Sequence, residues 1–553
     1  SLDTGKPVKF VPPSYALKDI TRIPRWRKIS SSEHGCRFWW LEYGGRLDTI
    51  HDTEQIKWEI WSVVYGVWDY IKNSGNFPDA ENLTLSWVGT IPGKRESRRF
   101  EGEYTLVQQD IIEQRHHPDA VAFGGWAIDL HPADGVYSSQ NGCIQYHSKG
   151  IYEIPYRCYC SRDIRNLFLA GRCISASHVA HGSTRVMATS GFGAQAIGMA
   201  AALCLQKGVL PADLTRPEFM RLLQQRLNLA GQSIPGIRID SAGNLAASAR
   251  ISASSELRLA EIPFDGGWMP LDYSAAQLLP LKAGVRYRFE IEVEACEATV
   301  LEAELRYAAK PFNYTPDMTA ERVRIPVEMG TCKLSVVFTG TVPSDQYGFV
   351  TFLKNNALRI RSSKARYTGI VSVFNKFNEA VNNNGRQTPP AGSGLDAFEF
   401  WCPDRRPAGQ NIAMRITPAI EAFSPSNVVN GFVRPTVTAN AWCAAFGDKM
   451  PRLSFCWDVP QRIGRIRLFF DTDYDHALES VQMGHPERVI PFCVQGYRIL
   501  DGHGNVVCEC TDNHQTINDI RLKETLETDR LAIVVEHPSS EVAAALFQIH
   551  IEA

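Results

Sequence analysis

From about residue 233 onward the chain repeatedly alternates apolar and polar side chains, and this pattern restricts the fold more than any other feature. Tyr287-Arg-Phe-Glu-Ile-Glu-Val293 and Leu334-Ser-Val-Val-Phe338 have the period of two expected of half-buried strands, and Gly, Pro and Asn turns separate such runs. Long helical patterns are few here, so this half reads as all-β sandwich (jelly-roll) material. A turn-rich stretch, Asn382 to Gly394, marks a break inside it. The expected units are residues 1–232, 233–390 and 391–553.

At 553 residues the chain is too long for a single core. Its formal net charge is −2, so no global basic field exists to hold nucleic acid. A small molecule, a sugar or another protein is the expected partner. No run of eighteen apolar residues suggests a membrane span. The first residues, Ser1-Leu2-Asp3-Thr4-Gly5-Lys6-Pro7, lack a signal peptide's basic start and apolar stretch, which leaves the compartment open. The fourteen cysteines include no zinc-type CxxC pair; the CxC pairs Cys158/Cys160 and Cys508/Cys510 bridge poorly, so most cysteines read as small buried hydrophobes. Adjacent His116 and His117 diverge and have no third ligand at a matching spacing, and no metal site is expected.

Before residue 232 the chain mixes helix-like and strand-like stretches. Asn166-Leu-Phe-Leu-Ala-Gly171 is a short apolar run ending in glycine, as expected of a parallel strand buried on both faces. Arg172 to Thr184 reads as a polar loop holding His178 and His181. Arg185 to Cys204 reads as a helix crowded with Gly and Ala, able to approach a strand or a flat ligand closely. Such a junction aims backbone N–H groups and a helix dipole at an anion.

On these residues the stretch Asn166 to Met187 resembles the carboxy-terminal flavin-binding segment (164–208) of a bacterial, Bacteroides-like family of FAD-dependent oxidoreductases. Several upstream blocks resemble the same family in order: Trp39 to Gly45, Val64 to Asn73, Pro92 to Arg99, Gly124 to His131 and Tyr152 to Arg157. The resemblance covers about residues 1–208. It implies part of an α/β, glutathione-reductase-like FAD-binding fold plus a substrate domain. It implies FAD contacts from Ala170, Gly171, Arg172, Ser183, Thr184, Arg185 and Gly191. A helix start with Arg185 beside it would stabilise the charge of a reduced flavin. The family opens with a GxGxxG turn that holds the ADP diphosphate, and no such fingerprint occurs here. The expectation is therefore a chain beginning after that half, unable by itself to hold FAD tightly although the parent protein binds it.

Candidate site residues follow. Arg95, Arg98 and Arg99, with Glu96 among them, form either a solvated ion-pair loop or a clamp for an anionic substrate. His178, His181 and His131 are candidate bases for flavin-linked C–H oxidation, set against the commoner role of a hydrogen-bonded structural histidine. Asp129 is placed to orient a histidine, which spacing alone leaves open. Tyr156 and Arg157 are candidate substrate contacts, with core packing the alternative for the tyrosine.

Residues 424–553 resemble a galactose-binding, discoidin-type β-sandwich through Ser426 to Pro435, Asn440 to Trp442, Arg465 to Asp471, Tyr497 to Asp501 and Phe547 to Ile551. Trp442 and Tyr474 are candidate rings for stacking on sugar, with core packing the alternative for Trp442. Asp471, Asp473 and Asp475 alternate but lack the strict calcium-loop pattern. Two functions are thus in view: a flavin-dependent oxidoreductase taking hydride from a small or carbohydrate-derived substrate, and a carbohydrate-binding or interaction protein acting through its β-sandwiches. The sandwiches favour a periplasmic or cell-surface setting.

Overall fold

The computed structural model describes residues 2–31, 38–310, 313, 315–375, 377–378, 383–403, 410–472, 490 and 492–553. In the front part five α-helices, α1 (Thr53–Asn73), α2 (Gln108–Ile112), α3 (His178–Thr184), α4 (Met187–Lys207) and α5 (Pro217–Leu229), surround short strands. Three antiparallel pairs form: β1 (Leu2–Asp3) with β2 (Leu83–Thr84), β3 (Ala120–Gly124) with β6 (Tyr152–Pro155), and β4 (Ile128–Leu130) with β5 (Ile144–Tyr146). Apolar residues at helical spacing in α1 (Val63, Val67, Ile71) turn one face inward against Leu17, Ile23 and Trp40. A second core joins β3, β6, α4 and α5, with Leu203, Leu223 and Leu227 fully buried. Each such leucine contributes roughly 1.5–3 kcal/mol.

Two local expectations for this part are corrected. The run Asn166 to Gly171 is no buried parallel strand: Asn166, Leu167 and Ala170 are exposed, and only Phe168 makes a lone antiparallel bridge, to Cys160. With no neighbouring strand paired along its length, the short apolar run has nothing to bury its two faces against. The residues after Ser177 are helical rather than loop, because the Ser177 side chain accepts from Ala180 N (3.2 Å) and caps α3. Among the described residues the strand pairs of the front part are antiparallel, with one isolated parallel bridge between Leu106 and Ala176.

The small residues of α4 serve two faces. A side chain at Gly193 would collide with the Tyr159 ring, and Ala196 and Ala200 let the helix approach β3. The opposite face, including Gly191 and Gly198, is open. By length and apolarity this helix is sufficient to cross a membrane, contrary to the run-length reading, yet its Gly193–Ala196–Ala200–Leu203 face is built into the core. Gly208, with φ +63°, ends it.

The back half is antiparallel, as the alternation indicates. A six-stranded sheet centred on Thr299–Tyr307, Gln346–Phe352 and Ala275–Leu281 faces a seven-stranded sheet centred on Asn355–Ser363, Arg288–Ala295 and Met414–Ile420. Phe289, Val293, Leu305, Val350 and Ile360 fill the layer between. A further seven-stranded sheet carries Arg452–Phe470, Ile517–Val535 and Ala545–Glu552 around Phe455, Ile466, Ile533 and Leu546.

Strand pairing groups the chain differently from turn composition. Met414–Ile420 still pairs with Arg288–Ala295, beyond the expected break at 390/391, while Arg250–Ala253 pairs with Arg452–Phe470 of the last sheet. The turn-rich stretch is docked rather than free: Gln387 accepts from His147 N (2.7 Å), and Gln108 Nε2 donates to Ser393 O (2.7 Å). Of the cysteines described, Cys143, Cys158, Cys160, Cys204, Cys443 and Cys493 are buried. Trp442 is fully buried and donates to Ser255 O (3.0 Å), so it is a core residue and not an exposed sugar platform. Asp471 is buried and accepts from Thr368 (2.7 Å); Asp473, Tyr474 and Asp475 lie outside the described residues.

Candidate functional site

A cleft of about 820 Å³ opens in the front part, walled by α1, the 38–45 segment, the loop from Val88 to Ser97, the end of β4 and α3. Gly182 makes the last contact possible, because a Cβ there would stand 3.0 Å from Asp129 O. The close approach brings α3 against β4 and seats Arg185 beside Asp129. Apolar and aromatic side chains such as Trp39, Ile60 and Trp61 line it together with histidines and arginines, and the Trp39 ring meets that of His131 edge-on at 5.7 Å.

The charged side forms one network. Arg185 Nη2 lies 3.2 Å from Asp129 Oδ2 and 3.3 Å from Asp129 O. His131 sits between two carboxylates, with Nδ1 2.9 Å from Glu42 Oε1 and Nε2 3.4 Å from Asp129 Oδ1. Arg95 Nη2 reaches Glu42 Oε1 (2.8 Å) and Trp39 O (3.0 Å). These are close ionic contacts with poor hydrogen-bond alignment around His131. Both of its ring nitrogens, Glu42 Oε1 and Asp129 Oδ1 are buried and lack an aligned hydrogen-bond partner among the described residues.

The electrostatics follow from burial and these neighbours. Burial disfavours the His131 cation, yet the facing Asp129 and Glu42 outweigh it and hold the ring above the usual histidine range. Burial likewise opposes the Asp129 carboxylate, but His131 and Arg185 hold it below the usual range. The Cys143 thiol, beside Asp129, is pushed up to about 12 by burial and by that charge. His181 is lowered to about 4 by burial together with Arg99 and Arg185, and stays neutral. His178 is lowered by partial desolvation and the same two arginines. Its Nδ1 is 2.7 Å from Glu96 Oε2, and Glu96 also pairs with Arg99.

Of the residues singled out from sequence, His131, His178, His181, Arg95 and Arg185 line the cleft together. Arg99 backs it through Glu96, while Arg98 is exposed. Arg172 donates to the carbonyls of Lys94 and Arg95 and so ties the Gly171–Cys173 turn to the cleft's loop wall. Ala170, Gly171 and Gly191 lie outside the cleft lining with exposed or open backbone. Ser183 and Thr184 are buried; the Ser183 hydroxyl donates to Trp126 O (2.7 Å) and meets Tyr152 Oη (2.6 Å). Tyr156 and Arg157 are not brought to the cleft: Tyr156 is buried and donates to Pro211 O (2.8 Å), and Arg157 pairs with Asp119 (2.9 Å). Sequence reasoning assigned no role to Glu42 or Cys143. Glu42 lies inside one of the family-like blocks, whereas Cys143 gave no signal until β4 and β5 were seen to pair.

Residues 2–227, less than half of the chain, match the FAD dependent oxidoreductase family. No curated protein matches the chain. Among solved structures, chitosan-binding module 1 from a chitosanase/glucanase of Paenibacillus sp. IK-5 is 14% identical, covering 24% of this chain and 86% of that one, with a TM-score of 0.18. The family 32 carbohydrate-binding module from Streptococcus pneumoniae EndoD is 14% identical over 24% and 87%, TM-score 0.18. The family 32 module from C. perfringens NanJ, in complex with galactose, is 12% identical over 23% and 82%, TM-score 0.17.

Proposed function

We propose that the front part of this chain is the substrate-side portion of a FAD-dependent oxidoreductase, with the cleft as its reaction site. The observation that carries this reading is the convergence, within the family-matched residues, of a carboxylate-held histidine and two arginines on one aromatic-walled cleft.

The residues present fit the ring end of the cofactor. Gly171, with φ +64° and open space where a Cβ would stand, lies outside the lining but flanks the cleft, because Arg172 ties its turn to the loop wall. FAD, when bound, supplies an acceptor for the hydride leaving a substrate carbon. Arg185 and Arg95, both on the cleft lining, would offset negative charge gathered on a reduced ring or an anionic substrate. The accompanying proton, from a substrate O–H or N–H, goes to His178. Glu96 holds its Nδ1 and leaves Nε2 for the substrate. His131 has both ring nitrogens against carboxylates and is not free for this task. His181, buried and neutral, shapes the wall. A small, neutral or singly anionic substrate, including one derived from carbohydrate, suits this balance of charge.

No strand–glycine turn–helix unit for a diphosphate occurs among the described residues, so this chain is proposed to bind FAD weakly and mainly through its ring. Titration of the chain with FAD and with lumiflavin, followed by flavin fluorescence and absorbance, tests this. Comparable affinities for the two, both reduced in Arg185→Met, are expected. A chain that leaves both spectra unchanged at millimolar flavin overturns the proposal.

A further inference from the structure

The β4–β5 hairpin brings together side chains whose numbers are far from any metal-binding pattern. Its register pairs Ile128 with Tyr146, Asp129 with Gln145 and Leu130 with Ile144. One step further along the same ladder sets His131 opposite Cys143. Asp129, two residues before His131, projects to the same side as the histidine. The Asp129 carboxylate, the His131 imidazole and the Cys143 thiol therefore converge, with one donor atom from each lying within 4.8 Å of the others.

We infer that Asp129, His131 and Cys143 form a binding site for a single zinc ion, with a fourth coordination position open to the cleft. Ligand atoms about 2.0–2.3 Å from a tetrahedral zinc stand roughly 3.3–3.7 Å apart. The 3.4 Å between Asp129 Oδ1 and His131 Nε2 meets this separation, although it is too long for a good hydrogen bond. Both atoms are buried without an aligned hydrogen-bond partner among the described residues, a costly state that a shared cation relieves.

The surroundings match a metal-bound histidine. Glu42 Oε1 lies 2.9 Å from Nδ1, on the far side of the ring, where its negative charge favours a proton on Nδ1 and leaves Nε2 to Asp129 and Cys143. Carboxylate–histidine–metal chains of this kind orient and strengthen the ligand. Of the neighbouring arginines, Arg185 takes Asp129 Oδ2 and leaves Oδ1 to the metal, while Arg95 shares Glu42 Oε1 with the histidine at 2.8 Å. They balance the negative charge of two carboxylates and a thiolate without blocking the ligand atoms. One thiolate, one imidazole and one carboxylate suit zinc over calcium or magnesium, and three protein ligands beside a cleft leave room for a water or a substrate oxygen. Binding exchanges the Cys143 S–H bond for an S–Zn bond and the Nε2–H bond of the charged His131 ring for an N–Zn bond, releasing one proton to solvent from each; no redox change is involved.

The test uses the whole chain, stripped with a chelator and titrated with Co²⁺ as a spectroscopic probe and then with Zn²⁺ in competition. The expected result is one equivalent of cobalt with tetrahedral absorption and a thiolate-to-cobalt charge-transfer band, displaced by zinc. Cys143→Ser should abolish that band, and Glu42→Gln should weaken binding by about 10–100-fold. X-ray absorption of the zinc-loaded, unsubstituted chain gives an answer that needs no variant: one sulfur near 2.3 Å is expected. Absence of stoichiometric binding, a zinc site without sulfur, or a charge-transfer band that persists in a folded Cys143→Ser protein overturns the assignment. None of these readouts depends on flavin.

Discussion

Arg185→Met isolates the charge network at the base of the cleft. The side chain is 11% exposed and supplies a cation to Asp129, itself 12% exposed, at 3.2 Å. Methionine keeps most of the apolar stem and removes the charge, leaving Asp129 with His131 as its remaining cationic neighbour. Breaking a buried pair by deleting one partner costs about 3–5 kcal/mol. Because His131 still faces Asp129, the expected loss is smaller, about 2–3 kcal/mol. For a unit of 150–250 residues this corresponds to a fall of roughly 4–12 °C in the melting temperature of the front part. The assay is differential scanning calorimetry of metal-free protein, reading the transition assigned to the front part. The double variant R185M/D129N removes both charges and should recover at least half of the loss, since the penalty comes from an uncompensated buried carboxylate. An unchanged melting temperature in R185M, or additive losses in the double variant, would refute the network as drawn.

Other expectations follow from the same geometry. His181 and the half-buried His147 are both lowered to about 4, chiefly by burial. Between that value and the ordinary histidine value near 6.5 the unfolded chain binds more protons, so their contribution is present above about pH 6.5 and lost as pH falls toward 4. The loss is up to about 3 kcal/mol for each, less any residual solvation. His131, raised, acts with the opposite sign, its contribution being present below about pH 6.5 and lost as pH rises through its folded value. Urea denaturation from pH 7 to 4.5 should show falling stability, with a shallower slope in His181→Gln. Gly193→Val, pressed against Tyr159, should lower stability by about 1–3 kcal/mol in the same assay. Trp442→Ala should cost about 3–5 kcal/mol in the transition of the last sheet, as a core residue does. An exposed stacking ring would show almost no loss.

Much of the cleft's chemistry was legible because it rests on residue types clustered along the chain. Arg95 with Glu96, and His178 with His181 and Arg185, stand close together in sequence, and the fold needs only two segments to bring them face to face. Asp129 and His131 were visible as a pair, but not the partner that decides what they do. Ser183, Tyr156 and Arg157 were drawn toward the site by position in a motif, whereas burial and their hydrogen bonds give them structural work.

What the amino-acid order alone determined is local: the period-two strands after residue 233, a small-residue helix spanning most of Arg185 to Cys204, and the supply of histidine and arginine between residues 95 and 185. Tertiary structure decided the long-range pairings: Met414–Ile420 joining the earlier sheets, α3 seated on β4 through Gly182, and Cys143 opposite His131. Periodicity records only which face of an element is buried. Which element covers that face depends on backbone hydrogen bonds and packing between residues far apart in the chain, and no local pattern encodes them.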